Sequence, residues 1–214
     1  RNAIDAVAQY REAAGDGVDL CIEIHRRLTP AEAVTLAMGI EKYHPFFYED
    51  PILPENFDAM ELVANNIRIP IATGERLHSI HEFEMLLKRG AVQYVRPDVC
   101  LAGGLTHSKK IAAVAEANYV TVAPHNPLGL LSTAVSVHLA ASTPNFVILE
   151  YHGDHARTKA RFVDDPWRPV DGYMPLPTKP GLGMELDLDT IAESPPIAWD
   201  RGFPLYPDGS AGFI

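Results

Sequence analysis

An α/β fold of parallel strand–helix units is what this 214-residue sequence predicts, on three observations. Short runs rich in β-branched and aromatic residues alternate with stretches of helical apolar spacing, the pattern of βαβ units. Each run ends on a residue able to do chemistry, namely Glu23, Glu49, Glu75, Asp98, His125 and Glu150, at intervals of 26, 26, 23, 27 and 25 residues. That interval accommodates one strand, one helix and two loops. A composition of 47% hydrophobic and 21% charged residues is that of a globular chain with a sizeable core.

The elements are expected in the following order. Residues 4–14 have the periodicity of a helix. Strands are expected at 19–24, 45–48, 69–73, 92–96, 119–123 and 146–149, from their Ile, Val, Phe and Tyr content. Ala33, Leu36, Ala37 and Ile40 lie on one helical face, as do Ile111, Val114 and Ala115. Gly103-Gly104-Leu105-Thr106 reads as a turn and helix start. Prolines crowd in after Tyr151, at 166, 169, 175, 177, 180, 195 and 196, and helical periodicity fades. Trp167, Tyr173, Trp199 and Phe203 make this tail an ordered wrap, because disordered tails are poor in aromatics. Residues 1–150 are thus expected to be a partial barrel with the site, and 151–214 a tail packed on it.

Parallel units place all strand carboxyl ends on one rim, so six polar positions distant in sequence converge in space. The expected architecture is a (β/α)8 barrel of TIM type, here incomplete, with about six βα units. An open doubly wound sheet is the alternative. A closed barrel needs eight strands, so two further strands are expected N-terminal to this segment, which begins with Arg1.

A net charge of −10 argues against nucleic acid and anionic membranes as partners. No run approaches a membrane span and no basic, apolar leader opens the chain, so a cytoplasmic location is expected. Cys21 and Cys100 lack metal-site spacing and are expected to be reduced core residues.

Glu23 and His25 stand two apart, which on a strand directs both side chains to one face while Ile22 and Ile24 face the helices. Glu49 and Glu75 end the next two strands. Three converging carboxylates would repel one another unless a cation joined them, and an all-oxygen donor set selects Mg²⁺, or Mn²⁺. Asp98 and His125 end consecutive strands, where the carboxylate would orient the ring and raise its basicity for proton abstraction. His25 would protonate a departing hydroxyl. The chemistry these residues point to is dehydration of a polyhydroxy acid. His152-Gly153-Asp154-His155 reads as a loop at the rim.

In order and spacing, Glu49-Asp50-Pro51, Gly74-Glu75-Arg76, Arg96-Pro97-Asp98, Ala102-Gly103-Gly104 and Pro124-His125-Asn126-Pro127-Leu128-Gly129 resemble motifs of the enolase superfamily, in its mandelate racemase and muconate lactonizing branch. Within it the sequence is most similar to galactonate and gluconate dehydratases. The resemblance implies Mg²⁺ on Glu23, Glu49 and Glu75, His125 as base supported by Asp98, and His25 as acid. It implies that Glu150 assists the developing enediolate and that the product is a 2-keto-3-deoxy sugar acid. Glu23 departs from the branch, which usually has aspartate there. The resemblance also implies an N-terminal capping domain, on which the C-terminal tail packs, in a longer protein or another chain. Alternatives are a racemase or epimerase of the same superfamily, and a non-catalytic barrel fragment acting in assembly. Bare strand edges would favour a homo-oligomer.

Overall fold

Strand pairing follows chain order. β1 (Cys21–Glu23), β2 (Phe47–Glu49), β3 (Ile71–Thr73), β4 (Tyr94–Val95) and β5 (Thr121–Val122) form one parallel sheet in the order β1-β2-β3-β4-β5. The structure, a computed structural model, describes residues 2–156, 158–195 and 205–210. A doubly wound sheet reverses its strand order at a switch point, and this sheet does not. The uninterrupted order is that of a barrel wall, so the open-sheet alternative is set aside.

The strands are shorter than their hydrophobic runs, because a ladder needs partners as well as propensity. Ile71 N–H, for example, is taken by the Gln93 side chain at 2.9 Å. The sixth run joins through a single bridge between Val122 and Phe146, with Val122 N–H donating to Asn145 O at 2.8 Å and Val147 N–H to Val122 O at 3.0 Å. It therefore takes its place in the wall beside β5 without forming a regular strand.

Between the strands run α2 (Pro30–Ile40), α3 (Phe57–Ala64), α4 (Ile80–Leu87) and α5 (Gly104–Ala117), with α1 (Asn2–Ala14) before them and α6 (Leu130–Ala141) after β5. Local chemistry sets where they begin. Thr29 and Ser79 each form a capping box with the glutamate three residues on, Glu32 and Glu82, and Pro30 occupies the first turn, where its missing N–H costs nothing. The predicted faces are the ones buried: Ala33, Ala37 and Ile40 on α2, and Ile111 and Ala115 on α5. The alanines among them let these helices approach the sheet, and Tyr48, Ile71, Val95 and Val122 on the strands complete the core with Met60 of α3 and Phe83 and Leu86 of α4. Each such buried large side chain stabilises the fold by about 1.5–3 kcal/mol.

The tail folds back on α6. Val163 and Met184 pack with Leu130 and Ala134, joined by partly buried Trp167 and Leu182, and Val163 bridges Leu186 antiparallel. Tyr173 does not anchor this wrap, being 79% exposed. Pro196, Trp199 and Phe203 lie outside the described residues. The expectation that the cysteines are core residues is corrected: Cys21 and Cys100 are free and both exposed. Cys100 lies in the turn after β4, beyond the strand that would have buried it. Among the described residues no helix is long and apolar enough to cross a membrane.

Candidate active site

Glu23 and Glu49 end β1 and β2 directly opposite one another in the parallel register. Glu75 follows β3 by two residues, after a glycine that no other residue could replace without strain. Gly74 has φ +134°, and a Cβ there would lie 2.7 Å from Phe83 Cε1 and 3.1 Å from the Arg96 nitrogen. This turn brings Glu75 back over the sheet. Each of Glu23, Glu49 and Glu75 offers one oxygen within 4.8 Å of the others, with Glu23 exposed and the other two buried.

The electrostatics of this triad call for a cation. Burial, with the charges of Glu23 and Asp50, outweighs the opposing Arg96 and pushes the Glu49 carboxyl up to about 9. Burial and the charge of Asp50 likewise push Glu23 up to about 7, although the residue as a whole is exposed. Facing carboxyls that resist ionising together, with oxygen as the only donor, are what a hard divalent cation would stabilise. The residues present fit such an ion.

Two arginines occupy the interior of this acidic mouth. Arg96, after β4, pairs through Nε with Glu49 and through Nη2 with Glu150 Oε2 at 2.5 Å, and donates to Ala123 O at 3.2 Å. Arg26, after β1, pairs through Nη1 with Asp50 Oδ2 at 2.7 Å and with Glu75 Oε1. Asp50 is buried and also accepts from Thr73 Oγ1 at 2.5 Å. Neither arginine stood out in the sequence as a site residue, though Arg96 lies in a recognised motif. The only local signal was a cation within a few residues of an acidic strand end.

Asp98 and His125 are brought together as expected, by a parallel bridge between the two residues. His125 Nδ1 lies 2.8 Å from Asp98 Oδ2, and its Nε2 lies 3.1 Å from Glu75 Oε2. Burial disfavours the charged ring, but the Asp98 hydrogen bond and the charges of Glu75 and Glu150 prevail and raise its pKa. Asp98 is held below the ordinary carboxylate range, because its His125 bond and the N–H groups of Cys100 and Leu101 outweigh burial. An imidazole made basic at one nitrogen and aimed by the other is fitted to proton transfer.

His25 departs from the expected strand geometry. β1 stops at Glu23, and both His25 and Arg26 have left-handed backbones, φ 55° and 67°, so strand alternation does not extend to them. His25 Nε2 instead lies 2.8 Å from Arg26 Nη2. Burial and the charge of Arg26 lower its pKa. The two imidazoles are thus linked through Arg26 and Glu75.

Glu150 ends the sixth run and takes the Asn126 N–H on Oε2 at 3.1 Å. Burial is outweighed by Arg96 and that N–H, so the carboxyl is held below its usual range. Asn126, fully buried, also donates to Glu150 O at 3.0 Å and Thr133 Oγ1 at 2.8 Å, fixing the loop that carries His125. His152 rims the site, its Nε2 lying 2.7 Å from Glu150 Oε1, whereas His155 turns to Tyr151 at 2.6 Å.

A family profile described as Enolase C-terminal domain-like matches residues 1–190. Among solved structures, an enolase from Agrobacterium radiobacter, a candidate galactarate dehydratase bound to Na and L-malate, is 38% identical with a TM-score of 0.91, over 99% of this chain and 57% of that one. A candidate dehydratase from Salmonella enterica serovar Typhimurium is 39% identical with a TM-score of 0.84, over 87% of this chain and 47% of that one. A candidate mandelate racemase/muconate lactonizing enzyme from Burkholderia SAR-1 is 36% identical with a TM-score of 0.91, over 98% of this chain and 54% of that one. The chain spans about half the length of these relatives.

Proposed function

The chain belongs to the Enolase C-terminal domain-like family, and on that premise we propose that it carries the site of a Mg²⁺-dependent sugar-acid dehydratase. The substrate would be an aldonic acid such as galactonate or gluconate. Its aldaric counterpart galactarate is added by the Agrobacterium relative. The observation that carries the reading is the Asp98–His125 pair, whose second ring nitrogen, Nε2, points to Glu75 of the acidic triad.

Glu23, Glu49 and Glu75 would hold the ion. When bound, Mg²⁺ would supply an electrophile for the substrate carboxylate, acidifying the neighbouring C–H. His125 Nε2 then removes the C2 proton, while Asp98 keeps the ring oriented and stabilises its charged form. The electron pair left at C2 forms the C2=C3 bond as the C3–O bond breaks. His25 gives the departing hydroxyl a proton, so water leaves and the enol relaxes to a 2-keto-3-deoxy acid. Glu150 is held ionised by Arg96 and so serves as an acceptor for a substrate hydroxyl rather than as a proton donor. Residues 1–150 would carry this chemistry and 151–214 would pack over it in a cytoplasmic homo-oligomer.

The test is a screen of the full-length gene product against aldonic and aldaric acids with Mg²⁺, detecting 2-keto-3-deoxy acids. Turnover abolished both by chelator and by His125→Asn supports the dehydratase. Inversion at C2 without loss of water would replace it by a racemase. A folded protein that neither binds metal nor turns over any acid would favour the non-catalytic reading.

A further inference from the structure

Arg26 is held at the centre of the acidic mouth by more contacts than a surface arginine makes. Its Nη1 meets Asp50 and Glu75, its Nη2 meets His25, and its backbone N–H donates to Asp50 O at 2.7 Å. The chain adopts two successive left-handed residues, neither of them glycine, to put it there. Both oxygens of Glu75 are engaged, Oε1 by Arg26 and Oε2 by His125 Nε2. Yet Glu75 is also one of the three carboxylates that converge as an ion site.

We propose that Arg26 is a built-in competitor of the divalent ion, its guanidinium contesting the Glu75 carboxylate and so setting the metal affinity of the site. The proposal rests on the metal reading above. A guanidinium is a permanent cation whose fork matches a carboxylate, so it offsets the repulsion between Asp50 and Glu75. A divalent ion drawing on Glu75 weakens that pairing. The exchange also reaches His25, because a guanidinium withdrawn from Glu75 releases the His25 nitrogen it now occupies. Arg26 is therefore a positioning residue, acting through Glu75 and His25.

The competing idea, that Arg26 merely orients Glu75 from outside the ion site, predicts the opposite sign. Removing such an outer partner weakens metal binding by about 10–100-fold. The experiment is calorimetric titration of Mn²⁺ into the full-length wild type, R26M and R27M. Arg27 is exposed and adjacent, so R27M removes the same charge without the contacts and calibrates long-range electrostatics. R26M is expected to bind Mn²⁺ roughly tenfold more tightly than R27M, the scale of one charge-assisted hydrogen bond, and to melt at a lower temperature before ion is added. Equal or weaker binding in R26M overturns the proposal. R26Q carries the same expectation if R26M does not fold. Absence of Mn²⁺ binding in wild type as well would overturn the metal reading itself, an outcome distinct from a failure of competition alone.

Discussion

Replacing Arg96 by methionine keeps most of the side chain's volume and removes the guanidinium that spans the barrel interior. Inward side chains of such a barrel meet in layers drawn from alternate strands. Glu49 at the end of β2, Arg96 just after β4 and Glu150 at the end of the sixth run form one such layer. Arg96 and Glu49 are 5% and 6% exposed and Glu150 is 22% exposed, so their pairing is largely shielded from water. Removing one partner of a buried ion pair costs about 3–5 kcal/mol. Glu49, whose carboxyl burial already pushes up against the opposing charge of Arg96, can take up a proton once that guanidinium is gone, which limits its share of the loss. Glu150 is left as the uncompensated charge, and the bond to Ala123 O adds about 0.5–1.5 kcal/mol. A loss of about 3–4 kcal/mol is expected, read from urea unfolding of wild type and R96M with the slope unchanged. Combining R96M with E150Q should cost less than the sum of the two by about 1–3 kcal/mol. A loss under about 1 kcal/mol, the value of an exposed pair, would refute the interior bridge.

Three further outcomes are expected. Asp98 has a depressed folded pKa, so its contribution is present above the unfolded value near about 3.9 and is lost as pH falls through the folded value. Wild type should therefore exceed D98N in urea midpoint at neutral pH and converge on it in acid, and a gap unchanged by acid would contradict the assignment. G74A forces a Cβ against Phe83 at a φ of +134°, which should cost about 3 kcal/mol and show as a lowered melting temperature. H25N should slow dehydration by about 10²–10⁴-fold while sparing exchange of the C2 proton with deuterium. Equal loss of both would remove His25 from the acid role.

How the six-position register became legible follows from local rules. Strand and helix periods appear within windows of ten residues or so, and parallel units make strand ends converge whatever lies between them. Glu49 facing Glu23, and His125 facing Asp98, follow from that arithmetic alone. The reading failed where one residue's backbone breaks the period. Left-handed φ at His25 and Arg26 accompanies the pairing of Arg26 with Asp50, a contact 24 residues away that strand alternation cannot foresee. Cys100 failed similarly, because the turn after β4 exposes it.

By itself the sequence determined the α/β unit, the order of the strands and the acidic identity of their ends, since these depend on side-chain period and chain direction. Only the tertiary structure decided which cations enter the mouth. In one dimension Arg26, Arg27, Arg76 and Arg96 are alike, each a charge near a strand end. Curvature of the wall brings alternate strands within reach, and a buried carboxylate selects whichever guanidinium can pair with it away from water, so Arg26 and Arg96 turn inward while Arg27 and Arg76 stay exposed.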